Sequence, residues 1–186
     1  MIVLSDLVAE ELGQPVDPRV TAMATALAAR HGDSSRAVMF YGSCLRDTEL
    51  DGLMLDFYLV VSDYRSAFKQ RWMATANRLI PPNVFPFEHD GLMSKYAVLS
   101  ESDFHRLNGP ETLNVSVWAR FAQPSRLAWS NDAIAAKSAV TAVARAAPTL
   151  LGAAGRIEGE PILDWWRRAF ALTYSAELRA ERKGRA

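Results

Sequence analysis

The chain has 186 residues, of which 49% are hydrophobic and 23% are charged. These proportions are typical of a globular protein and too apolar for an intrinsically disordered chain. Lysine plus arginine equals aspartate plus glutamate at 21 each, so the formal net charge is zero. No global positive field is therefore available to attract nucleic acid or an anionic membrane, and any anion site must be local.

The cysteine content and the N-terminal sequence bear on the cellular compartment. Cys44 is the only cysteine, which excludes an intramolecular disulfide framework and a cysteine-based zinc site. Residues 1–13 carry acidic side chains and no basic stretch, and no apolar run approaches the roughly 20 residues needed to span a bilayer. We therefore expect a protein of the reducing cytoplasm that is neither secreted nor integral to a membrane.

The first part of the chain predicts a helix followed by two strands. Residues 18–31 place apolar side chains at helical spacing, with Asp17 as the N-cap and Gly32 as the end. Two apolar runs rich in β-forming residues follow, at 37–43 and 53–61. They predict buried strands joined by a polar loop.

The middle of the chain continues this alternation. Residues 62–79 predict another helix, which ends before Pro81-Pro82. Residues 94–100 and 112–121 predict two further strands. The order helix, strand, strand, helix, strand, strand predicts a mixed-sheet α/β (α+β) fold.

The composition changes near Asn131, where alanine-rich helical sequence begins. This sequence is interrupted near Pro148 and at the glycines that follow, and it resumes from Pro161 to the end of the chain. The chain therefore predicts a mixed-sheet domain over residues 1–128 and a small helical C-terminal domain over residues 129–186.

The feature with the clearest chemical meaning is Tyr41-Gly42-Ser43 at the end of one predicted strand, followed by Asp56 inside the next. A glycine lets the backbone approach a phosphate, and a serine hydroxyl with nearby amide hydrogens satisfies phosphate oxygens. Asp56 lies in an apolar run, where an unpaired charge is costly, and carboxylates are ligands for Mg²⁺. A plain turn and an exposed strand aspartate are the alternative interpretation.

This arrangement resembles the nucleotidyltransferases of the polymerase-β superfamily. The resemblance implies that Gly42 and Ser43 bind a nucleotide triphosphate and that Asp56 holds a catalytic Mg²⁺. Most members carry two carboxylates two residues apart on that strand, whereas Met54 and Tyr58 flank Asp56 here. A second metal ligand is therefore expected from elsewhere. The candidates are the nearby acidic residues Asp51, Asp90, Glu49 and Glu88.

Four segments, in the same order between residues 38 and 181, carry a narrower resemblance. They are YGSCLR with MLDFYLVV, then DGLMSKYAVLS, ARFAQPSRL and LTYSAELRAE. They are similar to segments of the mitochondrial-type phosphatidate cytidylyltransferases, peripheral CDP-diacylglycerol synthases that occur also in bacteria. Cys44 stands where that family usually has glycine, and Gln123 replaces a lysine.

The narrower resemblance implies a reaction and its partners. The reaction is transfer of a cytidylyl group from CTP to phosphatidic acid, which gives CDP-diacylglycerol and pyrophosphate. The enzyme is then expected to be peripheral to the anionic inner face of the membrane, without a nucleic-acid partner. The apolar and basic segment 165–186 is the part expected to contact lipid.

Three basic residues suit such a site on chemical grounds. Lys95 lies in an apolar strand, where its ammonium needs a partner such as Asp56 or a nucleotide phosphate. A lysine that reaches water along the strand is the alternative. The guanidinium groups of Arg120 and Arg126 suit the phosphate of a lipid or of pyrophosphate, with surface salt bridges as the alternative.

The C-terminal region supplies the last candidate substrate-binding residues. Tyr174, Ser175 and Arg179 fall within about two turns of a predicted helix, and Ser175 and Arg179 share one face. We expect them to complete the site, with an ordinary structural helix as the alternative.

Two other functions are compatible with the same residues. A nucleotidyltransferase that modifies a soluble small molecule, a protein or an RNA end keeps Asp56 and Mg²⁺ but needs no lipid. A catalytically dead nucleotide-binding module is suggested by the missing second carboxylate. Nucleotide turnover separates the dead module from the enzymes, and lipid dependence separates the two enzymes.

Overall fold

Five strands build one mixed sheet, and its central strands carry apolar side chains on both faces, which helices cover. The computed structural model describes residues 3–46, 49–68, 70–79 and 83–183, with the backbone alone at 46, 78 and 174–183. The predicted mixed-sheet α/β fold is confirmed within these residues.

The strands are β1 (Ser35–Tyr41), β2 (Met54–Val61), β3 (Asn83–His89), β4 (Leu92–Ser100) and β5 (Ser125–Ser130). They lie in the order β3-β4-β2-β1-β5, with β2 and β4 parallel and the other neighbours antiparallel. The register places Asp56 opposite Tyr41 on one side and opposite Lys95 on the other. Because paired residues point to the same side of a sheet, these three side chains share one face.

The helices are α1 (Leu4–Leu12), α2 (Pro18–His31), α3 (Tyr64–Ala67), α4 (Arg71–Leu79), α5 (Glu101–Leu107), α6 (Trp118–Phe121), α7 (Ala133–Val143), α8 (Ala146–Ala154) and α9 (Ile162–Lys183). The predicted helix at 18–31 is confirmed with the same bounds. Its N-cap is Asp17, whose carboxylate accepts a hydrogen bond of 2.8 Å from the amide of Arg19.

Two buried clusters lie on the two faces of the sheet. On one face, α2 packs against residues such as Val38 and Phe57. On the other, α5 to α8 pack against Met39, Tyr58 and Val60. The alanine-rich helices α7 and α8 therefore share a buried cluster with the sheet. The domain boundary between residues 128 and 129 remains a prediction.

The predicted strand at 112–121 is wrong. Residues 112–117 form irregular backbone that ends in a turn, and the Asn114 side chain accepts hydrogen bonds from the amide and hydroxyl of Ser116 at 2.9 and 2.7 Å. Such local bonds compete with strand pairing. The apolar residues Val117, Trp118 and Phe121 are buried at helical spacing around α6, and the sheet takes β5 instead.

Two other elements differ from prediction. The predicted helix at 62–79 is split into α3 and α4, because Phe68 leaves helical geometry and buries its ring in the core. The strand β3 was not predicted. It contains Pro86, which has no amide hydrogen and is tolerated because β3 lies at the edge of the sheet.

A histidine at the end of α2 links stability to pH. The Nδ1 of His31 lies 3.1 Å from the carbonyl oxygen of Ala67, and its Nε2 lies 3.2 Å from the hydroxyl of Tyr96. Burial lowers the pKa of His31; the bond to Ala67 opposes this shift and the charge of Arg30 adds to it. The folded protein therefore favours the neutral ring.

We expect the free energy of unfolding to fall as the pH drops below the unfolded-state pKa of His31, 6.5. Because the folded-state pKa is lower, the unfolded chain takes up the proton first. The contribution of His31 to the free energy of unfolding is complete above pH 6.5, and it is lost as the pH falls toward the pKa of His31 in the folded protein. Urea unfolding at pH ~7.5 and ~5.5 should show a smaller loss in His31→Gln than in the unmodified protein. Equal losses in both proteins would contradict this role.

Candidate functional site

The centre of the candidate site is a carboxylate and an ammonium on neighbouring strands. The Nζ of Lys95 lies 3.2 Å from Oδ1 of Asp56, yet Oδ1 has no hydrogen-bond partner among the described residues. The contact is thus a charge pair without hydrogen-bond geometry. The Lys95 side chain is 53% exposed, so solvent screens the pair and its net stabilisation is small, about 0–1 kcal/mol. The ammonium of Lys95 is therefore available to a ligand, and Oδ1 of Asp56 is a buried acceptor without a hydrogen-bond donor among the described residues.

The chain turns away from β1 directly beside this carboxylate. Gly42 has φ +98°, a conformation that favours glycine. A Cβ at this position would lie 3.1 Å from Oδ2 of Asp56. Ser43 follows, exposed, at the start of a 3-10 turn, Ser43–Arg46. The Gly-Ser turn and Asp56, thirteen positions beyond Ser43, are therefore adjacent in space.

Arg120 lies against Tyr41, the last residue of β1. Its guanidinium is 5.9 Å from the ring centroid of Tyr41, and its Nη1 donates a hydrogen bond of 2.7 Å to the carbonyl of Ser116. The ring of Tyr41 contacts that of Tyr58, with centroids 5.2 Å apart. The α6 turn thus carries a positive charge to the end of the sheet where Asp56 lies.

Tyr41 and Tyr58 both lie close enough to Asp56 and Arg120 to respond to their charges. Burial raises the pKa of Tyr41, and the neighbouring Tyr58 adds to the shift while Arg120 opposes it. Burial likewise raises the pKa of Tyr58 to about 12, with Arg120 lowering it and Asp56 raising it. Both phenols therefore stay neutral near pH 7. In the sequence, Tyr58 is noted only as the position where a second carboxylate is missing. Strand alternation nevertheless puts its side chain on the same face as Asp56.

The structure does not gather the expected carboxylates into one metal site. Asp51 is exposed, and its Oδ1 accepts a hydrogen bond of 2.8 Å from Arg19. Asp90 is 78% exposed in the β3–β4 turn and lies 3.4 Å from Nε2 of His89. No three Asp, Glu, His or Cys side chains in the described part of the chain converge to hold a metal. Asp56 is thus the candidate ligand that remains at the site.

Arg126 has structural contacts in the fold, and its expected contact with substrate remains a prediction. Its Nη1 lies 2.5 Å from the carboxylate of Glu11 and also donates to the carbonyl oxygens of Glu11 and Ser125, at 3.3 and 2.9 Å. The side chain is 17% exposed. These bonds connect α1 to β5 through one nitrogen of the guanidinium that is expected to bind a phosphate.

The remaining predicted substrate residues are Tyr174, Ser175 and Arg179. All three lie on α9, which is helical as predicted and packs on α8, but their side chains lie outside the described residues. In the part of the chain that the structure describes, no helix has the length and apolarity needed to cross a membrane.

Comparison with known proteins assigns no family to this geometry. The chain matches no protein-family model, and a search of curated proteins found no significant match. The site itself brings Gly42, Asp56, Lys95 and Arg120 to one end of the sheet.

Proposed function

We propose that the protein is a magnesium-dependent nucleotidyltransferase that transfers a cytidylyl group from CTP to phosphatidic acid. The observation that carries nucleotidyl transfer is the close approach of the Gly42 turn to Asp56, at 3.1 Å from a Cβ built on Gly42. The choice of CTP and of a lipid acceptor is supported by the four segments that resemble the phosphatidate cytidylyltransferases.

The residues present suit a magnesium ion that arrives with a nucleotide. Asp56 Oδ1 is buried without a hydrogen-bond partner among the described residues, and Gly42 leaves the space beside Oδ2 free of a side chain. Magnesium is usually held by one or two carboxylates together with substrate phosphates, so one strand carboxylate is enough. A magnesium ion bound at Asp56 would neutralise negative charge on the phosphates.

Each of the other residues has a role toward the nucleotide. The Gly42-Ser43 turn admits the triphosphate, and the Ser43 hydroxyl donates a hydrogen bond to a phosphate oxygen. The exposed ammonium of Lys95 turns from Asp56 to the phosphates and stabilises the negative charge that develops on the leaving pyrophosphate. The Gly42-Ser43 turn and Lys95 lie at the same end of the sheet, which supports these two roles.

The acceptor completes the reaction. A phosphate oxygen of phosphatidic acid attacks the α-phosphorus of CTP, one P–O bond forms, and the bond to pyrophosphate breaks. Arg120 binds the acceptor phosphate through paired hydrogen bonds and orients it for attack. No covalent bond to the enzyme is needed, and the neutral phenols of Tyr41 and Tyr58 are not bases in this scheme.

The enzyme is proposed to work as a peripheral protein at the inner face of the membrane. Three exposed apolar residues before and at the start of α9, Ile157, Ile162 and Leu163, support contact with lipid. Because the formal net charge is zero, binding to anionic vesicles should be weak and sensitive to salt.

The deciding assay incubates the protein with labelled CTP, Mg²⁺ and phosphatidic acid in detergent micelles. Label in the organic phase is the expected result. Failure to turn over CTP with any acceptor would contradict nucleotidyl transfer. Turnover only with a water-soluble acceptor would contradict the lipid.

A soluble acceptor is the second candidate, and one observation favours it. Arg126, one of the two arginines expected to bind a lipid phosphate, is held by Glu11. The same assay, with label followed in the aqueous phase, separates the two candidates.

We expect Arg120→Leu to raise the apparent KM for phosphatidic acid by at least about tenfold, because a hydrogen bond to a charged group contributes about 1.5–3 kcal/mol. The KM for CTP should change much less. Arg120→Lys should restore only part of the affinity, since a point charge does not reproduce the two-pronged contact. Arg126→Gln is the matched control: it should lower thermal stability and leave the KM for the lipid unchanged. An equal effect of both substitutions on the lipid KM would contradict the assignment.

A further inference from the structure

A cavity of about 670 Å³ lies at the opposite end of the sheet from Asp56. It opens where the parallel strands β2 and β4 end, and its wall includes Tyr64 and Ser100. Ligands of open α/β sheets commonly bind beyond the carboxyl ends of the strands, and small-molecule sites typically measure about 300–1,000 Å³. Both the position and the size therefore suit a small-molecule site.

The side chains of two arginines at this cavity have no partner within the described part of the chain. Arg65 and Arg71 line the cavity, and their guanidinium groups make no ion pair, hydrogen bond or ring contact with the described residues. Every other arginine side chain that the structure describes contacts a carboxylate, a carbonyl or an aromatic ring. The concentration of both unpaired guanidinium groups at one cavity points to an anionic ligand.

The carboxylates at the cavity form no ion pair with the side chains of these arginines in the described residues. Asp63 caps α3 and accepts a hydrogen bond of 2.6 Å from the Ser66 hydroxyl. Asp103 accepts hydrogen bonds of 2.7 Å from the Tyr64 hydroxyl and from Nη2 of Arg106. Because both acids are bound to groups of the protein itself, the two free guanidinium groups remain for a ligand.

We propose that this cavity binds a small phosphate monoester. Arg65 and Arg71 supply two positive charges, which match a phosphate dianion better than a single carboxylate, and guanidinium groups bind phosphate oxygens in pairs. The organic part of the ligand lies against Phe68 and Ala74, which form an apolar wall. No residue of this site belongs to the site around Asp56, so the proposal is independent of nucleotidyl transfer.

Calorimetric titration with ribose 5-phosphate, at low salt and with a chelator in place of Mg²⁺, tests the proposal. Arg65→Gln and Arg71→Gln should each weaken binding at least about tenfold. Both arginines are exposed, so both variants should fold, which circular dichroism checks. Arg167→Gln, an exposed arginine paired with Asp164 on α9, is the matched control and should bind like the unmodified protein.

Two further arms make the outcome decisive. Lys95→Gln should leave binding unchanged, because that lysine lies beside Asp56 at the other end of the sheet. Inorganic phosphate should bind at least about tenfold more weakly than ribose 5-phosphate, since it does not reach the apolar wall. The proposal is overturned if no binding is detected, if Lys95→Gln abolishes binding while the arginine variants retain it, or if inorganic phosphate binds as tightly as the sugar phosphate.

Discussion

Asp56→Ala is expected to lower the rate of nucleotidyl transfer at least about 1,000-fold, which corresponds to about 4 kcal/mol of transition-state stabilisation. The substitution removes the candidate carboxylate that lies beside the Gly42 turn. Stability should change little, because the ion pair with Lys95 is screened by solvent. Single-turnover rates with labelled CTP and thermal unfolding measure the two effects separately.

Asp51→Ala is the matched control for that experiment. Asp51 is also an acidic residue of the β1–β2 region, but it is exposed and paired with Arg19. Its removal should leave the rate nearly unchanged. Retention of more than about a tenth of the activity in a folded Asp56→Ala protein, a barrier change below about 1.4 kcal/mol, would show that Asp56 is not the principal metal ligand.

Gly42→Ala is expected to reduce both stability and nucleotide binding. Alanine is strained at φ +98°, and its Cβ would lie 3.1 Å from Oδ2 of Asp56, so the carboxylate or the turn must move by a few tenths of an ångström. Strain of this kind costs about 1–3 kcal/mol, and displacement of the carboxylate should weaken CTP binding at least about tenfold. Urea unfolding and CTP titration in the presence of Mg²⁺ provide the measurements.

The chain offers a matched glycine for comparison. Gly152 lies in α8, and a Cβ there would meet nothing within 4 Å. Gly152→Ala should therefore be neutral or stabilising by up to about 1 kcal/mol, because alanine favours a helix. If Gly42→Ala behaved like Gly152→Ala in both stability and CTP affinity, the turn would not be built around the carboxylate.

The parts of the fold that could be predicted are those specified by neighbouring residues. The helix at 18–31 is bounded by its own cap and glycine, and the apolar runs at 37–43, 53–61 and 94–100 form strands β1, β2 and β4. The segment at 112–121 was mistaken for a strand because its apolar residues alternate with polar ones whose side chains bond to local backbone. Whether such a segment pairs as a strand or forms local side-chain bonds depends on what its apolar residues pack against.

The sequence by itself identified Gly42, Ser43 and Asp56 as a unit, because a glycine turn and a carboxylate in an apolar strand are both local features. It also marked Lys95 as a buried-strand lysine that needs a partner. Strand register, which depends on long-range packing, decided that this partner is Asp56.

Only the tertiary structure distinguished the arginines from one another. The sequence predicts a phosphate contact for both Arg120 and Arg126, yet Arg126 is held by Glu11, 115 positions away, while Arg120 lies over Tyr41. In the same way, no local motif marks Arg65 and Arg71. They become a candidate anion site because the fold forms a cavity at the ends of β2 and β4, which these two arginines and α5 line. The physical reason is that a charged side chain takes its role from whichever opposite charge or cavity the fold brings to it, and that neighbour is seldom close in sequence.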